Sequence, residues 1–197
     1  AVIILFQPEI RRLLLLLGQN PLVRRFMQSP ARQERIEEII VAIGDLSSRR
    51  IGALIAFERS TGLRSYVETG AQLHAQVSRD LLVTIFYAQN PLHDGAVIIR
   101  DARIEAARCI LPVSTNMKLS TKLGLRHRAA VGLTELTDAF VVVVSEETGQ
   151  ISVANNGNLV SNISLTLLEE YLQDALSTKL HPEADGAVAP VPAPTPS

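Results

Sequence analysis

The 197-residue sequence contains one cysteine, Cys109, which excludes a framework of intramolecular disulfide bonds. Cys109 stands in the apolar run 106–111, which favours a buried core residue over a nucleophile. Basic residues number 19 against 20 acidic residues, so no excess of positive charge indicates nucleic-acid binding. We therefore expect a protein of a reducing, cytoplasmic setting that has no nucleic-acid partner.

The sequence also lacks an apolar run of the ~20 residues that are needed to cross a bilayer. The apolar start, residues 1–6, is interrupted by Glu9, Arg11 and Arg12. The basic residues Arg11 and Arg12 follow the apolar run, whereas in a signal peptide the basic residues precede it. A chain that starts without methionine on such a run is expected to be part of a longer protein. The 47% hydrophobic content is enough for one sizeable core, which favours one domain.

Several common functional motifs are absent as well. The sequence has neither a Gly-x-x-x-x-Gly-Lys-Ser/Thr loop nor a Gly-x-Gly-x-x-Gly turn, the two usual phosphate-binding loops. It also has no Cys-x-x-Cys pair and no Gly-x-Ser-x-Gly elbow. A nucleotide would therefore have to be bound by a different arrangement.

The apolar periodicity predicts an α/β protein in which helices surround a central mixed, twisted β-sheet. The predicted helices cover residues 8–17, 29–46, 78–88 and 164–176. The predicted strands cover residues 51–57, 66–68, 96–99, 104–111, 139–144 and 150–154, with hairpins at Asp101-Ala102 and at 145–149. We expect a domain over 29–180, preceded by the helical segment 1–28 and followed by a disordered Pro/Ala-rich tail over 181–197.

The stretch 90–99 places a turn and two ligand-type side chains directly before a buried strand. Pro91 fixes the backbone, and Gly95 permits a conformation or a close approach that a side chain would block. Between them, His93 and Asp94 are an imidazole and a carboxylate that can share a hard divalent cation. The simpler interpretation is that Asp94-Gly95 only forms a turn.

The triplet Arg126-His127-Arg128 is poor core material because its cationic groups repel one another. If the triplet opens a helix, the free N–H groups and the helix dipole favour an anion there. Arginine side chains pair with phosphate oxygens through two parallel hydrogen bonds. The segment is therefore a candidate polyphosphate site, and a solvated charge cluster is the alternative.

A third polar cluster, Ser145-Glu146-Glu147, follows the most apolar strand, 139–144. Ligands in α/β sheets bind outside the carboxyl ends of strands. The two carboxylates could complete a metal site with His93 and Asp94. Paired glutamates are also common in surface turns, so both interpretations stay open.

Two of these motifs resemble the signatures of a known family. The segments 92–99 and 126–132 are similar to the Asp-Gly-Ala and Arg-His-Arg signatures of the diadenylate cyclase domain, and their separation also matches. Segments 51–55, 58–63 and 145–149 resemble further family blocks, so that the resemblance covers roughly residues 1–175. The opening 6–12 resembles the membrane-anchored, CdaA-type branch, in which three transmembrane helices precede this point.

This resemblance implies an enzyme that condenses two ATP molecules into cyclic di-AMP and releases two pyrophosphates. It also implies a divalent metal, Mn²⁺ or Mg²⁺, and a homodimer in which two protomers, each holding one ATP, face each other. The membrane-anchored branch implies a location at the cytoplasmic face of the cell membrane. Two other hypotheses are a catalytically silent nucleotide-binding module and a plain interaction domain.

The resemblance also implies residue roles. Asp94 is expected at the metal and the attacking ribose 3′-hydroxyl. The phosphates would be held by Arg126, His127 and Arg128 and approached by Ser145 or Glu146. Gly95 and Ala96 would line the nucleotide, and Leu111 would pack against the adenine. Further metal contacts would be made by His93 and Glu147. Leu125 departs from the family pattern, which commonly has threonine there, so a hydroxyl contact to phosphate is lost.

Overall fold

The computed structural model describes residues 30–116 and 123–177. Its elements in chain order are α1 (Pro30–Ser48), β1 (Ala53–Phe57), α2 (Arg64–Val67), β2 (Ala71–Gln76), α3 (Arg79–Phe86), β3 (Ala96–Arg100), β4 (Arg103–Cys109), α4 (Leu125–Leu136), β5 (Phe140–Val144), β6 (Ile151–Asn155), β7 (Asn158–Ser161) and α5 (Leu165–Ser177). The segments predicted over 1–28 and 181–197 lie outside the described residues.

The strands form one mixed sheet in the order β2-β4-β3-β1-β5-β6-β7. Strands β1 and β3 pair in parallel, and each of the other observed pairings is antiparallel. Both predicted hairpins are present, β3–β4 and β5–β6. Asp101 and Ala102 join β3 to β4 with φ of 49° and 60°, as a tight hairpin turn requires. The predicted α/β class with a mixed sheet is confirmed.

The central strands are buried on both faces because their residues alternate between two apolar cores. In β1, Ala53, Ile55 and Phe57 belong to the core beneath α1, α3 and α5. Leu54 and Ala56 belong to the second core, beneath α2 and α4. Cys109 belongs to this second core at 1% exposure, as predicted, and its burial raises the pKa of the thiol to about 11.

Local sequence signals account for the helices of the first layer. Helix α1 begins at Pro30, as predicted, and buries its stripe of Ile36, Ile39, Ile43 and Leu46. Helix α3 is capped by Ser78, whose hydroxyl accepts a hydrogen bond from the Leu81 N–H at 3.3 Å. Within the described ranges, no helix combines the length and the apolar character of a membrane span.

Helix α4 was expected only on the condition that the Arg126-His127-Arg128 triplet opens a helix, and the structure has this helix over Leu125–Leu136. Three further elements differ from the sequence prediction. The strand predicted over 66–68 is wrong, because 64–67 form the short helix α2, which turns the buried Leu63 and Val67 toward the same core. Strand β2 was not predicted because it lies at an edge of the sheet and has no apolar run. The short strand β7, at the opposite edge, was missed for the same reason.

Candidate functional site

A cleft of about 550 Å³ lies where several central strands begin or end, on the face of the sheet covered by α4. Its volume is within the usual range for small-molecule sites. Its lining residues are Leu54, Asp94, Gly95, Cys109, Ile110, Leu111, Val113, Gly124, Leu125, Arg126, His127, Ala129, Val144, Ser145, Glu146 and Glu147. The cleft thus brings the acidic loop around Asp94 together with the start of the cationic triplet.

The strand directions explain why these segments meet. Asp94 and Gly95 directly precede β3, while residues 110–113 directly follow β4, its antiparallel neighbour. Residues 145–147 follow β5, which runs antiparallel to β1, and β1 runs parallel to β3. The start of β3 and the ends of β4 and β5 therefore lie together at the same end of the strands.

Gly95 allows the acidic loop to pass close to β4. Its φ is +137°, and a Cβ at this position would lie 2.8 Å from the carbonyl carbon of Arg108 and 3.0 Å from the oxygen of Cys109. Upstream, the Asn90 side chain accepts a hydrogen bond from the Leu92 N–H at 2.9 Å. The loop that presents Asp94 is consequently fixed at both ends.

The cationic side of the cleft is the beginning of α4. Gly124 is the N-cap residue, and no side chain caps this end of the helix. Gly124, Leu125, Arg126 and His127 line the cleft, so the positive end of the helix dipole is directed toward it. The Arg126 guanidinium donates a hydrogen bond from Nη1 to Oε2 of Glu146 at 2.7 Å. The cleft therefore offers an anion both backbone N–H groups and an arginine.

His127 contributes no full positive charge at neutral pH. Burial, and after it the neighbouring Arg126 guanidinium, lower the pKa of His127 below its usual value of 6.5, while Glu147 acts in the opposite direction. The imidazole is therefore neutral at pH 7, and it can donate or accept a hydrogen bond inside the cleft.

The acidic turn on the other side of the cleft is held by Ser145. The Ser145 hydroxyl oxygen accepts hydrogen bonds from the N–H groups of Glu147 at 3.3 Å and Thr148 at 3.2 Å. The Ser145 N–H donates to the carbonyl of Gln150 at 3.0 Å. These bonds fix the turn, and the carboxylates of Glu146 and Glu147 line the cleft beside Arg126.

Three predicted site residues, His93, Ala96 and Arg128, do not line the cleft. Nδ1 of His93 lies 2.6 Å from the carbonyl oxygen of Asn90. Since a carbonyl only accepts, Nδ1 donates to it, and Nε2 is the acceptor in the neutral imidazole. Ala96 begins β3 and is fully buried. The Arg128 carbonyl accepts from the N–H of Ser114, and its side chain is half-buried. The functional roles of these three residues stay predictions.

The donor set suits a metal that enters together with a polyphosphate. Across residues 30–116 and 123–177, no three His, Cys, Asp or Glu side chains are grouped closely enough to hold a metal ion alone. Three carboxylates, those of Asp94, Glu146 and Glu147, nevertheless line the cleft. Mg²⁺ in nucleotide sites is usually bound by one or two carboxylates together with substrate phosphates. The residues present therefore fit such a metal.

Sequence reasoning missed most of the apolar lining of the cleft. Leu54 and Val144 are contributed by the central strands, and Ile110 and Val113 flank the predicted Leu111. The signal that could have revealed the last two is their position directly after β4, on the same extended segment as Leu111. Ile110 and Val113 are 71% and 49% exposed.

The block 58–63 follows β1 at the other end of the strands, away from the cleft, and its residues form hydrogen bonds within the fold. The carboxylate of Asp138 accepts hydrogen bonds from the N–H groups of Ser60 at 3.0 Å and Thr61 at 2.8 Å. The buried Glu58 accepts from the N–H of Leu63 at 2.9 Å. Partial burial raises the pKa of Asp138, but the hydrogen bonds from Thr61 and Ser60 outweigh it and lower the pKa below 3.8. This block stabilises the loop between β1 and α2.

Comparisons with known proteins agree with this architecture. Residues 40–159 match the profile of the family described as "DisA bacterial checkpoint controller nucleotide-binding". The chain is 49% identical over 178 residues to the cyclic di-AMP synthase CdaA of Bacillus subtilis, a match that covers 88% of this chain and 64% of that protein. It is 45% identical over 180 residues to a diadenylate cyclase of Listeria monocytogenes, covering 90% of this chain and 66% of the relative.

Solved structures give the same result. A double mutant of DacA from Staphylococcus aureus superposes with a TM-score of 0.74 at 47% identity, covering 75% of this chain and 98% of that one. A hypothetical membrane spanning protein from Bacillus cereus gives a TM-score of 0.63 at 46% identity, covering 65% of this chain and 63% of that one. The chain belongs to the diadenylate cyclase (DisA nucleotide-binding) family. It spans about two-thirds of the length of the two curated relatives, 64% and 66%.

Proposed function

We propose that this chain is the catalytic domain of a diadenylate cyclase, a nucleotidyltransferase that condenses two ATP molecules into cyclic di-AMP and releases two pyrophosphates. The observation that carries this proposal is the shared cleft of Asp94 and Arg126. An acidic group for the metal and hydroxyl and a cationic group for the phosphates are the two requirements of phosphoryl transfer. The names of the relatives support the same activity.

In each half of the reaction, the 3′-oxygen of one ATP attacks the α-phosphorus of the other. A new P–O bond forms, the bond from the α-phosphorus to the α,β-bridging oxygen breaks, and pyrophosphate leaves with the electron pair. The hydroxyl proton passes to the carboxylate of Asp94, which lines the cleft and is exposed to it. Two such steps close the ring, so each ATP supplies one nucleophile and one leaving group.

The cationic end of α4 would hold the triphosphate. Arg126 and the first N–H groups of the helix stabilise charge on the phosphates, and neutral His127 adds a hydrogen bond. Arg128 follows them on the same helix, and its guanidinium would reach the phosphates from outside the present lining. Ser145 and Glu146 would approach the phosphates from the turn after β5.

The base and the ribose would occupy the apolar part of the cleft. Leu111, which is 7% exposed, offers an apolar contact to adenine, and Leu54 lies in the same cleft. Gly95 and Ala96 would allow the nucleotide to approach the start of β3. This division assigns the charged half of the cleft to the triphosphate and the apolar half to the nucleoside.

Diadenylate cyclases need a divalent metal, and we propose Mn²⁺ or Mg²⁺ for this chain. When bound, it neutralises phosphate charge and lowers the pKa of the attacking hydroxyl. Asp94 and Glu147 line the cleft and would hold it together with ATP. His93 would join them through Nε2, because its Nδ1 is bonded to the carbonyl of Asn90.

A homodimer is proposed for catalysis because one cleft of about 550 Å³ holds one ATP and the reaction needs two. Three large apolar side chains at the rim, Ile110, Val113 and Leu125, are 71%, 49% and 76% exposed. Such exposure around a cleft favours contact with a second protomer. Two-fold pairing would turn each 3′-hydroxyl toward the α-phosphate of the facing ATP.

The domain boundaries and the cellular location complete the proposal. Residues 29–180 would form the catalytic domain, 1–28 would connect it to a membrane region, and 181–197 would be a tail. We place the domain at the cytoplasmic face of the cell membrane, and the name of the Bacillus cereus neighbour, a hypothetical membrane spanning protein, supports a membrane anchor.

The deciding experiment incubates purified protein with ATP and Mn²⁺ and identifies the product by mass. We expect cyclic di-AMP and pyrophosphate from the wild type and none above background from Asp94→Asn. The matched control is Asp101→Asn, in the exposed β3–β4 turn, where asparagine tolerates the same left-handed φ of 49°. Undiminished product from Asp94→Asn, or a wild type that binds ATP at high protein concentration without product, would refute the proposal.

A further inference from the structure

Gly52 lies directly beneath the Arg126–Glu146 ion pair. A Cβ added to Gly52 would lie 3.0 Å from Oε2 of Glu146, 3.1 Å from Cζ of Arg126 and 3.1 Å from Cβ of Glu146. Gly52 is buried and directly precedes β1, where Ala53 pairs with Val144. The backbone of Gly52 therefore forms the surface on which the two charged side chains meet.

The need for glycine here comes from space and not from backbone conformation. The described glycines with positive φ are Gly95, Gly149 and Gly157, and Gly52 is not among them. Alanine can adopt the φ of Gly52 without strain, so the cost of a Cβ falls on its neighbours. Two of the three contacted atoms belong to the paired ends of Arg126 and Glu146.

We propose that Gly52 is a positioning residue of the cleft, which holds Arg126 and Glu146 in the geometry that receives the triphosphate. Glu146 is 61% exposed and Arg126 24% exposed, so neither side chain is fixed by burial alone. Arg126 comes from α4 and Glu146 from the turn after β5, and their 2.7 Å hydrogen bond is formed across Gly52. A methyl group at position 52 would displace this pair toward the cleft.

This inference rests on the proposed function and predicts a functional defect without a folding defect. Gly52→Ala should raise the KM for ATP and lower kcat/KM on the order of tenfold, because small displacements of a positioned group cost this much or more. Its melting temperature should stay within about 2 °C of wild type, since two of the three contacted atoms are the ends of flexible side chains and the third, Cβ of Glu146, belongs to an exposed turn. ATP binding measured by calorimetry, which does not depend on turnover, should weaken by a similar factor.

The matched control is Gly62→Ala, because an added Cβ at Gly62 meets nothing within 4 Å and its φ is not positive. Gly62 is exposed in the loop after β1, at the end of the strands away from the cleft. This variant should match the wild type in KM, ATP affinity and melting temperature. It measures the effect of replacing glycine with alanine in general.

A double-mutant cycle with Glu146→Ala separates the ion pair from the backbone. Alanine at 146 removes the carboxylate but keeps the Cβ that lies 3.1 Å from the new methyl group. It also removes the partner that holds Cζ of Arg126 3.1 Å from this methyl group, so that the guanidinium can turn away from it. If Gly52 acts through the pair, Gly52→Ala should change kcat/KM less than about twofold in the Glu146→Ala background. A tenfold loss that persists there, or an unchanged ATP affinity in Gly52→Ala alone, would overturn the inference. A wild type without product would instead refute the proposed function, and the calorimetric comparison would still test Gly52.

Discussion

Gly95→Ala should destabilise the fold, unlike Asp94→Asn at the adjacent position. At a φ of +137°, an alanine is strained by about 1–3 kcal/mol. The new Cβ would also lie 2.8 and 2.9 Å from backbone atoms of Arg108 in β4, the strand that pairs with β3. Backbone in a paired strand cannot move as a side-chain end can, so overpacking adds about 1–3 kcal/mol. We therefore expect a loss of about 2–6 kcal/mol.

Urea unfolding followed by circular dichroism measures this loss, with Gly62→Ala as the control that adds a methyl group in open space. A loss of this size is a large fraction of the ~5–15 kcal/mol that stabilises a typical domain, so the midpoint should shift strongly at a constant m-value. If Gly95→Ala lost less than about 1 kcal/mol, the close approach between the acidic loop and β4 would not be a constraint on the fold. The position of Asp94 at the cleft would then not depend on glycine at residue 95.

Two further substitutions test the far loop and the cleft rim. Asp138→Asn should cost about 1 kcal/mol at pH 7, measured by urea unfolding, because an amide cannot accept from both Ser60 and Thr61 as the carboxylate does. The pKa of Asp138 lies below 3.8, so its stabilisation is complete above pH 3.8 and is lost as the pH falls through the lowered pKa. The difference between wild type and variant should therefore shrink on acidification from pH 6 to pH 3, and a constant difference would contradict this assignment. Leu125→Thr places a hydroxyl on the first turn of α4 and should lower the KM for ATP about fivefold through one added hydrogen bond to phosphate, whereas an unchanged KM would show that residue 125 does not reach the triphosphate.

The strongly apolar strands and the amphipathic helices could be predicted from the sequence because their signals are local. The apolar run 139–144 and the apolar stripe of α1 predict buried elements, and Ser78 predicts the start of α3. Strands β2 and β7 could not be predicted in this way. Both lie at the edges of the sheet, and their pairing depends on β4 and β6, which the local pattern does not reveal.

The charged residues that line the cleft were all among those predicted from the sequence, although His93 and Arg128 were predicted too and do not line it. Most of the apolar lining was not predicted. Asp94, Arg126 and Glu147 stand out in sequence because charged groups next to apolar runs need an explanation. Leu54 and Val144 do not stand out, because residues that line a cleft and residues that fill a core have the same composition. The role of Gly52 could not be predicted from the sequence either, because the side chains that require glycine at this position are about 75 and 95 positions away along the chain.

The position of the cleft follows from the mixed sheet and differs from the usual rule for parallel sheets. Ligands of open α/β folds bind outside the carboxyl ends of parallel strands. Here the parallel pair β1 and β3 contributes its amino ends to the cleft, through Gly52 and Asp94. The carboxyl ends beside the cleft are those of the antiparallel neighbours β4 and β5, followed by Leu111 and Glu146. The carboxyl ends of β1 and β3 instead lead to Glu58 and Arg100 at the other end of the strands, where Asp138 fixes a structural loop. The end of the sheet at the cleft therefore combines loops that precede strands with loops that follow them. This combination lets the acidic loop and the cationic helix end approach the same ligand from two sides.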